Sequence, residues 1–277
     1  MPELPDLLHV LGKLRSRLLG RTVASERLRE PIVLRCLVHG NLSLLLGRSL
    51  RDISRRGHFV IFHFDGFDLA VNPMLAGRFR FALPGERDEA ILAFALGFDD
   101  VELRYLDDKK MGKAYLAAAG DLSAIPGLQA IGVDVLSRQF TTERFASLLR
   151  HRRDQIRVFL LDKGALDSLG NAYADEVLFE ARIHPKTWCR SLTHEDAERL
   201  HAAIVAVLKD AVAEVARRDE PIEVKIRDFL KVRMKVECPR CGSRIRKAGV
   251  KGMDAYFCPK CQPATRPGFV DWNRTGR

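Results

Sequence analysis

The sequence predicts an α+β protein: a β-rich first half behind one helix, a helical second half, and a metal-binding ribbon near the C-terminus. Three observations predict it. Apolar residues recur at helical spacing near the N-terminus, give way to short aromatic and β-branched runs up to about residue 120, and then return to helical spacing. Four cysteines stand as two close pairs late in the chain, and the formal net charge of +10 over 277 residues marks a protein that meets a polyanion.

The first helix is expected from Pro5 to about Leu19, with Leu7, Leu8, Leu11, Leu14 and Leu18 on one face and Gly20 ending it. Phe59 to Phe64 reads as a strand that turns at Asp65-Gly66, and Asp68 to Val71 begins the return. Arg78 to Leu83 and Val101 to Leu106 are further strands, so residues 1–120 form a sheet-rich unit, read as a β-sandwich. Residues 121–138, with Pro126, Gly127 and Gly132 and little periodicity, are the expected connection. Helices follow from Thr141 to Leu149, Gln155 to Leu161, Ala172 to Ala181 and His194 to Val215, and Arg217 to Pro221 ends this unit near 222. Residues 223–277 hold the ribbon and an unpatterned basic end.

Cys238-x2-Cys241-x16-Cys258-x2-Cys261 suits a structural zinc ion, because each CxxC pair clamps one edge of a tetrahedron while the intervening loop folds as a hairpin. Disulfides are the competing reading, and no secretory signal favours them. Cys36 and Cys189 read as small buried hydrophobes. No apolar run approaches the roughly 18 residues a membrane span needs, so no membrane partner and a bacterial cytoplasmic or nucleoid location are expected. Positive charge gathers at Arg55-Arg56, Lys109-Lys110, Arg150 to Arg153 and between Lys225 and Lys260; each run alone also suits a solvated face.

The start Met1-Pro2-Glu3-Leu4-Pro5-Asp6 carries chemistry of its own. Removal of Met1 leaves Pro2 as a secondary amine with an α-amino pKa near ~7.7–8.0, so about a third is unprotonated at pH 7.5. Such an amine attacks a carbonyl or sugar carbon and passes to an iminium, and Glu3 beside it can move protons.

This start, the stretch Leu169-Gly170-Asn171-Ala172-Tyr173-Ala174-Asp175-Glu176-Val177-Leu178-Phe179-Glu180-Ala181-Arg182-Ile183-His184-Pro185, and the four-cysteine end through Cys258-Pro259-Lys260-Cys261-Gln262 together resemble the formamidopyrimidine-DNA glycosylase/endonuclease VIII family. Leu4 favours the formamidopyrimidine branch. The resemblance implies an N-terminal catalytic β-sandwich, a helix–two-turn–helix module over 139–222, and a zinc finger that joins it in gripping damaged DNA, in a monomer. It implies a bifunctional DNA glycosylase/AP lyase: a damaged nucleotide is flipped from the duplex, Pro2 attacks its C1′, and a Schiff base leads through β- and δ-elimination with Glu3 as proton shuttle. Asn171 at its helix start would bind a backbone phosphate, although its residue type also suits a plain helix cap. Met74, Asn72 and the Lys109-Lys110-Met111-Gly112 turn would fill the void left by the flipped base; Met74 by itself reads as core.

Several positions depart from the family pattern. His58, counted with Pro2 and Glu3 as catalytic, stands where a phosphate-binding, catalysis-supporting lysine is usual, in a segment expected as a half-buried strand, with Arg55 and Arg56 nearby as substitutes. Lys109, Lys110 and Met111 replace two arginines and a phenylalanine, which weakens expected selectivity for cytosine opposite the lesion. Met253 falls where an arginine usually pins phosphates, with Lys251 two residues earlier as the nearest cation. Asp6, Asp167 and a short segment from Val224 to Glu237 also reshape the site. The expected lesion is therefore atypical: an oxidised purine or pyrimidine, a hydantoin, a bulky adduct or a crosslink. The alternative is a damage- or structure-specific DNA-binding paralogue with weak or lost glycosylase activity.

Overall fold

The computed structural model describes residues 2–167 and 169–264. Met1, whose removal the reading of Pro2 requires, and the basic end beyond residue 264 lie outside them. The chain divides into two compact units, residues 1–130 with 214–226, and residues 131–213 with 227–277.

In the first unit, α1 (Leu4–Leu18) precedes β1 (Ser25–Leu28), β2 (Leu34–Cys36), β3 (Leu50–Arg56), β4 (Phe59–Phe64), β5 (Phe67–Asn72), β6 (Arg78–Ala82), β7 (Leu92–Gly97), β8 (Glu102–Leu106) and β9 (Lys113–Ala118). These strands form a five-stranded sheet in the order β2-β9-β5-β4-β3 and a four-stranded sheet in the order β1-β7-β8-β6. β4 is built of aromatic and β-branched residues that suit a pleated, buried surface, and Gly66 takes the positive φ of 81° that its turn into β5 demands. Alternate residues of the five-stranded sheet, including Val60, Phe62, Leu69, Val71 and Leu116, join Phe79, Phe94, Leu96 and Leu103 of the other sheet in one core. Phe62 meets Phe79 edge-on at 5.6 Å. Ile222, far along the chain, is buried in the same core, so residues 214–226 pack here rather than with the helices that precede them.

Two local expectations change. His58 sits in the turn between β3 and β4 and is 3 % exposed, because the chain reverses at Gly57-His58 and folds the imidazole inward. Cys36, on the edge strand β2, is only partly buried; that burial still raises its thiol pKa.

In the second unit, β10 (Val133–Asp134) is followed by α2 (Thr142–Arg150), α3 (Ile156–Leu160), β11 (Leu166–Asp167) and α4 (Asn171–Glu180); α5 (His194–Arg218) leads on, and β12 (Arg246–Val250) pairs antiparallel with β13 (Met253–Phe257). β10, inside the segment read as a connection, pairs in parallel with β11. Thr141 caps α2 by accepting from the Arg144 backbone N–H at 3.2 Å. α4 is buried along nearly its whole length, and Phe179 near its end packs with Val232, Ile245, Tyr256 and the cysteines.

Candidate functional site

The N-terminal chemistry is tied to the start of α1. Glu3 is its N-cap: its carboxylate accepts from the Asp6 backbone N–H, while Asp6 Oδ2 accepts from the Glu3 N–H at 2.8 Å. This reciprocal pair satisfies two otherwise orphaned donors and anchors a segment that would ordinarily fray. Glu3 and Asp6 are both buried. Pro2 and Asp6 line a cavity of about 20 Å³ with Gly77, Arg78, Ile222 and Glu223. Pro2 thus borders the loop that carries Met74.

That loop is a closed turn. Asn72 Oδ1 accepts from the Met74 N–H at 3.0 Å, Gly77 N–H donates to the Pro73 carbonyl at 2.9 Å, and Met74 has a φ of 50°. Met74 is half-buried and Leu75 beside it is exposed, so the tip presents two apolar side chains. The second turn is gathered by buried Asp107, which accepts from Lys109 N–H at 3.1 Å and Gly112 N–H at 2.6 Å. Lys109 and Met111 are exposed. Lys110 is also exposed, but its ammonium pairs with Glu30 at 2.8 Å, so part of its charge is engaged within the unit.

Arg55 donates to the Gly57 carbonyl at 2.8 Å and is only half-exposed, whereas Arg56 faces solvent. With His58 turned inward, Arg56 is the open cation of this turn.

In the second unit, Gly170 is the N-cap of α4 and Asn171 is its first residue. The Asn171 amide is oriented by Arg157: the guanidinium Nη2 donates to Asn171 Oδ1 at 3.0 Å. A guanidinium has no acceptor, so the amide oxygen must face it and the NH₂ must face away. That NH₂ meets Met253 Sδ at 3.5 Å. Arg157 also donates through Nε to Asp175 at 2.9 Å and through Nη2 to the Asp254 carbonyl at 3.0 Å, joining α3 and α4 to the hairpin. Arg233 donates to the other Asp175 oxygen at 2.7 Å. Burial pushes the Asp175 carboxyl up, outweighing the two guanidiniums that pull it down. Lys251 sits exposed at the hairpin tip with a φ of 49°, and with Met253, Arg152 and Lys163 it lines a groove of about 450 Å³. Burial lowers the Lys163 pKa.

Sequence reasoning did not find Arg157, although a charge inside the apolar Ile156 to Leu160 helix was a readable signal. Nor did it find Leu75, Glu223 or Ile222.

The sulfurs of Cys238, Cys241, Cys258 and Cys261 lie within 4.8 Å of one another, with Cys238 and Cys261 at 3.8 Å and Cys241 and Cys258 at 3.5 Å. A tetrahedral ion with Zn–S bonds of about 2.3 Å sets such edges near about 3.8 Å, so the four thiolates fit zinc. Buried Gln262 braces the knuckle, accepting from Cys258 N–H at 2.9 Å and donating to the Ile183 carbonyl at 2.8 Å.

Three family models match in chain order: the formamidopyrimidine-DNA glycosylase N-terminal domain over residues 1–114, the formamidopyrimidine-DNA glycosylase H2TH domain over 131–219, and the zinc finger found in FPG and IleRS over 237–264. The formamidopyrimidine-DNA glycosylase of Symbiobacterium thermophilum is 35 % identical over 276 residues, covering 95 % of this chain and 90 % of the relative. That of Cytobacillus firmus is 32 % identical, covering 95 % and 100 %. A solved complex between the Lactococcus lactis Fpg and DNA containing an abasic site superposes with a TM-score of 0.86 at 28 % identity, covering 95 % of this chain and 100 % of that one. Sandwich, helix–two-turn–helix module and zinc ribbon thus define a DNA glycosylase of base excision repair. The chain belongs to the formamidopyrimidine-DNA glycosylase family. No helix among the described residues is long and apolar enough to cross a membrane.

Proposed function

We propose that the mature chain, with Pro2 at its terminus, is a bifunctional glycosylase/AP lyase that acts on damaged DNA as a monomer in a bacterial cytoplasm. The observation that carries the reading is the anchoring of Pro2 and Glu3 at the capped, buried start of α1, bordering the Met74 loop. The Pro2 nitrogen attacks C1′ of the flipped nucleotide and the C1′–base bond breaks, the base leaving with a proton. Ring opening of the sugar gives an iminium, which acidifies the C2′ proton; its removal expels the 3′ phosphate, and a second elimination expels the 5′ phosphate. Glu3 is the group placed to move these protons. Structures of the Lactococcus lactis protein with abasic-site DNA support damaged DNA as the partner.

Met74 and Met111, with Leu75, are the proposed void-filling side chains, and Lys109 and Arg56 the proposed backbone contacts. In the second unit the α4 start with the Asn171 amide, together with Lys251, would meet phosphate. Zinc, when bound, neutralises the thiolates and holds the hairpin that carries Lys251 and Met253. With lysine and methionine in the second turn, the protein should tolerate several bases opposite the lesion and prefer one atypical for the family.

Borohydride trapping on abasic and lesion-bearing duplexes tests the reading. A covalent adduct is expected with the mature protein, none when the terminal amine is blocked by acetylation and a much weaker one with Pro2→Gly, whose terminus is still an amine, while Cys36→Ser retains it. Absence of any adduct on an abasic site, with tight binding preserved, would instead make the chain a damage-binding paralogue.

A further inference from the structure

The two turns assigned to void filling rest on one buried atom. Tyr105, in β8, is 0 % exposed; its ring stacks on Phe94 at 5.1 Å and leans on Phe79 at 5.4 Å. Its hydroxyl is enclosed and has no hydrogen-bond partner among the described residues. Two glycines approach it closely. A Cβ on Gly77 would stand 2.0 Å from that oxygen, and one on Gly112 would stand 1.9 Å from it. Gly77 closes the Met74 turn through its bond to Pro73, and Gly112 closes the Met111 turn through its bond to Asp107. Each turn is therefore a small, internally bonded unit, and the phenol oxygen is wedged between the two glycines.

A buried hydroxyl without a partner lowers stability relative to phenylalanine, and such groups call for an explanation outside stability. Burial, with the nearby Asp107 charge, pushes the phenol pKa up, so the spacer stays neutral across the working pH range.

We propose that the Tyr105 hydroxyl is the spacer that fixes the separation of the Met74 and Met111 turns, making Tyr105 a positioning residue for insertion into the DNA stack. The proposal rests on the preceding reading that these side chains enter the duplex. The ring alone fills the core; the added oxygen keeps the two turns apart. Neither turn can close toward the other while the oxygen stands between glycines that leave no space for anything larger.

Tyr105→Phe removes that one atom. The thermal midpoint is expected to stay equal or rise, since the buried unsatisfied group is gone. The single-turnover rate on a duplex abasic site should fall by about fivefold or more relative to the rate on a single-stranded abasic site, where no void must be filled. With 2-aminopurine placed opposite the abasic site, the fluorescence rise that reports insertion should shrink in the variant. An unchanged duplex-to-single-strand ratio with an unchanged 2-aminopurine signal overturns the spacer role. A wild-type protein that traps on neither substrate overturns the lyase reading instead, and the 2-aminopurine comparison in that protein still decides Tyr105.

Discussion

Arg104 on the four-stranded sheet and Arg157 beneath the hairpin are both wholly withdrawn from solvent, yet they are held differently. Arg104 spends all three nitrogens inside its own unit: on Glu102 at 2.5 Å, on Glu89 at 2.8 Å, and on the Glu86 and Arg87 carbonyls at 2.6 and 2.9 Å. It straps the loop between β6 and β7 to the sheet. Arg157 leaves Nη1 without a partner among the described residues and uses Nη2 to aim an amide at the start of a helix. A buried charge that closes on itself serves the fold; one that orients a half-exposed donor leaves that donor aimed outward, as the proposed phosphate contact at Asn171 requires. Burial alone does not separate the two cases.

The largest perturbation of this comparison is metal removal. Chelation should strip hydrogen-exchange protection from the 246–257 hairpin, since structural zinc in finger peptides is worth about 10–16 kcal/mol, and should leave the Arg104 region untouched. Protection retained through the hairpin would mean that Arg157 keeps its Asp254 contact without zinc. Arg104→Met comes next. It leaves Glu102 buried without its nearest cation and should cost about 3–5 kcal/mol in denaturant unfolding, while the protein that remains folded still traps abasic DNA.

Arg157→Met should cost less stability, about 1–3 kcal/mol, because Asp175 retains Arg233. Its larger effect should be on DNA: the Asn171 amide is free to flip, and affinity should fall by about tenfold with little change in salt slope. Arg56→Ala should show the contrary pattern, with the slope reduced by about one and a smaller loss of affinity. Matching salt slopes for the two variants would erase the distinction between orienting and contacting.

The smallest effect is in acid, and it has opposite signs in the two regions. Hydrogen bonds from Arg29, and then Arg27, hold Asp88 beside Arg104 below its usual range. Its stabilising contribution is present above the unfolded pKa and disappears as pH falls through the folded one. Burial holds Asp175 above its usual range, so its contribution grows as pH falls through the folded pKa. Hydrogen exchange followed from pH 6 to pH 3 should therefore weaken the Arg104 strap before the Arg157 junction; the reverse order would contradict both signs.

Much of the fold was legible. β4 appears over the six residues expected, α1 and the four later helices fall within a few residues of their periodic signals, and the cysteine spacing matches a tetrahedral cluster. β3 and β9 were not read, because their mixed or small residues carry little alternation: Leu50 to Arg56 is largely polar and Lys113 to Ala118 is alanine-rich. Both become strands by pairing with β4 and β5, whose own patterns are strong. The inward turn of His58 and the capture of Lys110 by Glu30 were equally invisible, since each depends on a partner or a chain reversal outside the local window.

By itself the sequence determined what is covalent or periodic: a Pro2-Glu3 pair before an amphipathic helix, two cysteine clamps, a helix opening at Asn171, and an excess of positive charge. These signals survive any arrangement of the rest, because bonding distance and helical repeat are local. Tertiary packing alone decided that Arg157 orients Asn171, that Ile222 and Glu223 return beside Pro2, and that one phenol oxygen separates two glycine-closed turns. Those contacts join residues up to 200 positions and more apart, as with Pro2 and Ile222. Only the filling of a shared core sets such distances, to within the width of an atom.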